Sequence, residues 1–129
     1  MKRLIFATLF ISTFSYGAGE CNDISNSAEI GLCAEYKKNE ADDYMNKQYS
    51  SLMAKINAEY VNDVGLKNEL IVNVKSSQRN WIKFRDANCK LYSFQIDSNS
   101  PVHQTIINEC IARMSESRGK ELAALSDEI

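Results

Sequence analysis

The run from Gln78 to Cys89, QRNWIKFRDANC, sets an amide, an indole, a guanidinium and a thiol at steps of three, four and four. At helical period Gln78, Trp81, Arg85 and Cys89 share one stripe, so Arg85 points where Trp81 and Cys89 point. Earlier in the chain, Asp42, Asn46, Tyr49 and Met53 share a stripe in the same way. An arginine on a core-facing stripe must find acceptors, and Asp42 or Asn46 on a neighbouring helix supplies a carboxylate or an amide. The chemistry these types support is a buried polar network that fixes helix register. A catalytic site would need a base and a nucleophile in one place as well, and the stripes bring neither.

No other constellation completes a catalytic set. The sequence holds no G-x-S-x-G elbow, no H-E-x-x-H and no glycine-rich phosphate loop, and His103 is its single histidine. Glu40, Asp42 and Asp43 lie within one turn, a pattern usual for a solvated helix face. No enzyme activity is expected. Cys21, Cys33, Cys89 and Cys110 have no C-x-x-C spacing. With one histidine they make neither a redox motif nor a Cys/His metal site, so no metal or cofactor is expected.

The destination of the chain follows from its start. Lys2 and Arg3 precede an apolar run from Leu4 to Phe14 and a small-residue stretch from Ser15 to Gly19. That is the three-part order of an export signal, residues 1–19, with cleavage after Gly17 or Gly19. The run is too short for the ~20 residues of a membrane span. Glu20 precedes Cys21 where a lipoprotein signal would need a small residue, so no lipid anchor is expected and the product reads as a soluble periplasmic or secreted protein. In an oxidising compartment, four cysteines in a small domain read as two disulfides.

Residues 20–129 are the size of one domain. Apolar residues recur at helical period in three stretches, which predicts an all-α fold, a small three-helix antiparallel bundle. The first stretch opens at Asn26, a capping side chain with Glu29 three residues on. It carries Ile30, Cys33, Ala34, Ala41, Met45, Tyr49, Leu52, Met53 and Ile56 and ends near Tyr60. Lys37 to Glu40 is polar enough to bend or break it. The second starts near Asp63, with Leu66, Leu70, Val74, Trp81, Phe84 and Leu91 on roughly one side. Ser100-Pro101 then caps and opens a third, whose stripe is Ile106, Ile107, Cys110, Met114, Leu122 and Leu125, with fraying expected beyond Ser126. Of three possible pairings, topology favours Cys89 with Cys110 across the turn between the second and third helices, which leaves Cys21 for Cys33.

Removing Lys2 and Arg3 leaves 13 basic against 17 acidic residues, so the formal charge moves from −2 to −4. An acidic surface argues against nucleic acid and anionic membranes, which demand clustered Lys and Arg, and leaves a basic protein partner open. Two surfaces are candidates for such a partner: the acidic run with Glu40 and Asp43, and the turn with Phe94 and Ile96, where apolar side chains stand in a loop.

Cys21, Glu29, Cys33, the segment ADDYMNKQY, the run QRNWIKFRDANC, Cys110 and the R-x-x-E-L of Arg118 to Leu122 together resemble the LprI-like lysozyme-inhibitor domain, over nearly all of residues 20–129. Q-x-x-W-x-x-x-R-D-x-x-C is the most specific part. The resemblance implies a helical, disulfide-bonded protein of the bacterial envelope whose activity is inhibition of lysozyme, with Asp42, Asn46, Tyr49, Gln78, Trp81, Arg85, Asp86 and Arg118 as signature positions that serve the fold. Met45 stands where the family usually has Leu. Since lysozymes are typically basic, the expected partner is a lysozyme-like muramidase. A second reading is an envelope immunity or interaction protein that shields the cell from a secreted effector.

Overall fold

The computed structural model describes residues 21–129, so the expected export signal at 1–19 and its cleavage site lie outside the described residues. Three helices follow one another: α1, Ser27–Glu59; α2, Val64–Tyr92; and α3, Pro101–Glu128. Each begins where a side chain takes over orphan backbone donors. Asn26 Oδ1 accepts from the N–H groups of Ala28 and Glu29, Asp63 Oδ1 from that of Leu66, and Ser100 Oγ from that of Val102. Glu29 reaches back one residue further than a capping box requires. Its carboxylate accepts from the Ser25 N–H and hydroxyl, which holds its pKa below the usual carboxylate range. The polar stretch Lys37 to Glu40 does not break α1, which is helical for 33 residues.

α1 and α3 run parallel: going up both helices, Gly31 meets Thr105, Tyr44 meets Gly119 and Lys55 meets Ser126. α2 runs the other way, with Cys89 beside Cys110 and Gln78 beside Arg118. The α1–α3 contact is by far the most extensive of the three, and α2 lies on this pair through a narrow stripe. Gly119 is what allows the close approach. A Cβ there would strike the Tyr44 ring and stand 3.3 Å from the Met45 Cα.

Met45, Leu52, Ile56 and Leu122 form the main core, with Tyr49, Leu70, Val74 and Trp81 packed on it. Cys89, Cys110 and Ile111 form a second core at the far end. The narrow seating of α2 explains where the apolar pattern misleads: Leu66, Phe84 and Leu91 are exposed, as are Ile30 on α1 and Leu125 on α3. These positions lie on the right sequence period but beyond the edge of the helix contact. The expected fraying past Ser126 does not occur. Lys55 Nζ donates to the Ser126 carbonyl and Ile129 packs on the core, so α3 stays helical to Glu128.

Both disulfides pair as topology favoured, Cys21 with Cys33 and Cys89 with Cys110, and both stand at the same end of the bundle. They close loops with sequence separations of 12 and 21, for which chain entropy gives about 3 kcal/mol each. Cys89→Ser/Cys110→Ser should therefore lower the melting temperature by roughly 10–20 °C, on a scale of ~4–8 °C per kcal/mol; thermal melts of oxidised parent and variant check this, and equal melting would contradict it. Gly119→Ala should cost about 1–3 kcal/mol, because Tyr44 and the α1 backbone must give way. Urea unfolding measures it, and an unchanged midpoint would mean the α1–α3 approach is not set by Gly119.

Candidate functional site

The predicted arginine contact exists, and it joins all three helices. Arg85 on α2 donates through Nη1 to Asp42 Oδ1 on α1 at 2.8 Å and to Ser115 Oγ on α3 at 2.9 Å. The Ser115 hydroxyl closes the triangle by donating to the same Asp42 oxygen at 2.7 Å. The Nε and Nη2 of Arg85 both reach Asp86 Oδ1 at 2.9 Å. Arg85 is 8% exposed and Ser115 fully buried, so these bonds form where water competes little. Of the two acceptors foreseen for Arg85, the structure selects Asp42. Asn46 is exposed on the outer surface of α1.

A second guanidinium lies one layer along. Arg118 on α3 donates through Nε to Gln78 Oε1 at 3.0 Å, through Nη1 to Glu121 at 2.6 Å and through Nη2 to Ser77 Oγ at 3.2 Å. Trp81 lies between the two cations, with its ring centroid 5.7 Å from each guanidinium carbon. Cation–π attraction adds to the packing of the indole on the core. Three carboxylates, Asp42, Asp86 and Glu121, face the two cations, which offsets their mutual repulsion. Gln78 Nε2 is buried without an acceptor, a cost the network carries for its other bonds.

Sequence spacing placed Gln78, Trp81, Arg85 and Asp42 in this region, while Asp86 and Arg118 enter only through the family resemblance. Tyr49 stands beside it on the main core. What spacing missed is Ser115 and the supporting pair Ser77 and Glu121. Ser115 was legible in principle. It sits four residues from Ile111, three from Arg118 and seven from Leu122, on their stripe, but a helical serine carries no hydrophobic signal.

The charged groups of the cluster are all paired. Asp42 and Asp86 are held by a cation, Ser115 is hydrogen-bonded to a carboxylate, and His103 is about 18 Å along α3 from Ser115 at 1.5 Å per residue. Among the described residues no group of three or more His, Cys, Asp or Glu could hold a metal ion.

The surfaces named from sequence divide. Asp43 is exposed, and Glu40 is exposed on an open groove of about 850 Å³ between α1 and α3, opposite α2. Tyr36, Tyr44, Glu109, Arg113, Glu116 and Lys120 line it too, and Glu116 pairs with Lys120 at 2.7 Å. That bond holds the Glu116 carboxyl below its ordinary pKa and raises that of Lys120. At the α2–α3 turn Ile96 is half-buried, whereas Phe94 is 82% exposed.

The family model described as "Lysozyme inhibitor LprI" matches residues 19–122. The chain belongs to the LprI family. A curated relative, an uncharacterized protein of Rhizobium meliloti (strain 1021), is 25% identical over 111 residues, spanning 84% of this chain and 79% of its own. A DUF1311 family protein from Pseudomonas putida KT2440, known from a crystal structure, superposes with a TM-score of 0.72 at 22% identity, covering 83% of this chain and 100% of that one. The likeness shows the fold. LprI is an inhibitor family, in keeping with a central network whose charges are spent on one another, and its named partner is a lysozyme.

Removing the guanidinium tests whether the LprI network holds the fold. Arg85→Ala leaves Asp42 with only Ser115 and the more distant Lys38, and should cost about 3 kcal/mol, at the lower end for a broken buried pair because the Asp42 side chain keeps 25% of its exposure. Arg85→Lys should fall between parent and Ala, since an ammonium cannot reproduce the fork. Chemical denaturation reads both. An Arg85→Ala protein as stable as the parent would show that the triangle does not hold the helices.

Proposed function

We propose that this chain is an exported inhibitor that seats on a basic lysozyme-like muramidase and occludes its glycan cleft, making and breaking no covalent bond. The observation that carries the reading is the match of residues 19–122 to a lysozyme-inhibitor family. Three features of the molecule support the finer statement. Residues 20–129 have a formal charge of −4, which favours encounter with a basic enzyme. Two disulfides suit an oxidising compartment, the periplasm or the medium outside the cell. Among the described residues no helix is long and apolar enough to cross a membrane, which accords with a chain released after cleavage of its signal.

Occlusion needs a rigid body rather than a reacting group, and the molecule supplies one. The three helices are tied at mid-length by the Arg85 triangle, and α2 and α3 again at one end by Cys89–Cys110. A partner then meets a surface whose ordering has already been completed in the free protein, so less entropy is lost on binding.

The oxidised protein, residues 20–129, should slow lysis of a peptidoglycan suspension by at least one lysozyme in a panel spanning several classes. Inhibition should weaken as salt rises from 50 to 300 mM, roughly in step with a Debye length that is ~10 Å at 0.1 M. Turbidity assays read both effects. No slowing of any lysozyme at a hundredfold molar excess would refute the proposal.

A further inference from the structure

Exposed apolar side chains and negative charge gather at one end of this bundle, the end that carries both disulfides. Leu91, Tyr92 and Phe94 leave the end of α2 at 69, 58 and 82% exposure, and Val102 follows at the start of α3. Ile30 and Leu32 are exposed on the first turns of α1 at the same end. Large apolar groups held in water by a rigid frame are the usual mark of a contact surface, and aromatic residues are its usual anchors. The frame here is stiff. Cys89–Cys110 ties the two helices that flank the turn, and Cys21–Cys33 folds the N-terminal arm onto α1.

Charge is distributed in the same sense. Residues 21–36 hold Asp23, Glu29 and Glu35 with no Lys or Arg, and residues 89–113 set Lys90 and Arg113, the latter over the Tyr92 ring at 5.5 Å, against Asp97 and Glu109. Those two segments, which make up the stapled end, therefore carry a formal charge of −3, while the rest of the described chain, with 11 basic and 11 acidic residues, carries none. The α1–α3 groove lacks this bias, since Lys37, Arg113 and Lys120 balance Glu40, Glu109 and Glu116.

We infer that the stapled end is the docking surface for the basic muramidase, with Phe94 and Leu91 as the anchors that enter its cleft and the surrounding carboxylates as the steering field. This rests on the inhibitor reading above and names the face that performs it. An apolar centre whose rim is net negative, with Lys90 and Arg113 as its only cations among the described residues of these segments, fits an enzyme of the opposite sign. Phe94 costs little to immobilise because it leaves from a turn fixed by its own hydrogen bonds, with Phe94 N–H donating to the Leu91 carbonyl and Ile96 N–H to that of Ser93.

The test uses the oxidised protein and the lysozyme that the parent inhibits most strongly in the panel. Leu91→Ser/Phe94→Ser should raise the concentration for half-inhibition ~10–100-fold, the range of a lost pair of anchors. Asp23→Lys/Glu35→Lys should slow association several-fold and flatten the salt dependence. Val64→Ser, an exposed apolar position at the opposite end, should stay within twofold of the parent. All three sites are on the surface, and unchanged melting temperatures confirm intact folds. Anchor and charge variants that inhibit like the parent would overturn the assignment while leaving the inhibitor reading in place. So would an equal loss in Val64→Ser, or a parent dimer, seen by sedimentation, that the anchor variant dissolves. A parent that inhibits no lysozyme removes the inhibitor reading, and this surface with it.

Discussion

A guanidinium cannot shed its proton inside a protein, so burying Arg85 obliges the chain to bring acceptors to it. The acceptors come from different helices. Asp42 arrives from α1 and Ser115 from α3, and each also bonds the other. Sliding any helix by one turn, about 5.4 Å, would break the triangle and cost buried Arg85 at least one acceptor brought by another helix. Together with Cys89–Cys110, which ties α2 to α3, and the Gly119 approach, which seats α3 on α1, this constraint sets the register of the bundle.

The rest of the architecture can be understood as what that constraint permits. α1 and α3 run parallel and pack closely, because Gly119 removes the side chain that would hold them apart and Ser115 is small enough to sit at the contact. α2 is fixed by polar bonds and a disulfide more than by area, and so can leave Phe84 and Leu91 in water. Arg118, Trp81 and Gln78 repeat the device one layer along. Charges engaged in this way hold one another in place. The proposed inhibitor function falls to the surface, where exposed apolar residues and net negative charge coincide at the stapled end.

Much of this was legible in the sequence, for identifiable reasons. Asn26, Asp63 and Ser100-Pro101 mark the helix starts because capping is a local effect that depends on one or two side chains. The disulfide pairing followed from chain order, and the facing stripe offered Arg85 two acceptors, Asp42 and Asn46, of which packing selects the first. Periodicity failed where burial depends on how wide a helix contact is. Leu66, Phe84 and Leu91 keep the period yet stay outside, and nothing local records that α2 is seated narrowly. Ser115 and Gly119 went unread for the opposite reason. Small residues give no apolar signal, and their importance comes wholly from what approaches them. The Leu91–Phe94 surface was half visible, as Phe94 and Ile96 in a turn, but which of the two would face water was settled only by packing.

The central claim is that the middle of the bundle holds the fold while the stapled end meets the partner. Backbone hydrogen–deuterium exchange of the oxidised protein, alone and saturated with an inhibited lysozyme, tests it most directly, because exchange reports protection along the whole chain at once. The account predicts slowed exchange at residues 91–105 and across the first turns of α1, with no change around Asp42, Arg85 and Arg118. Protection centred on those three residues, with the α2–α3 turn exchanging as fast as in the free protein, would contradict it.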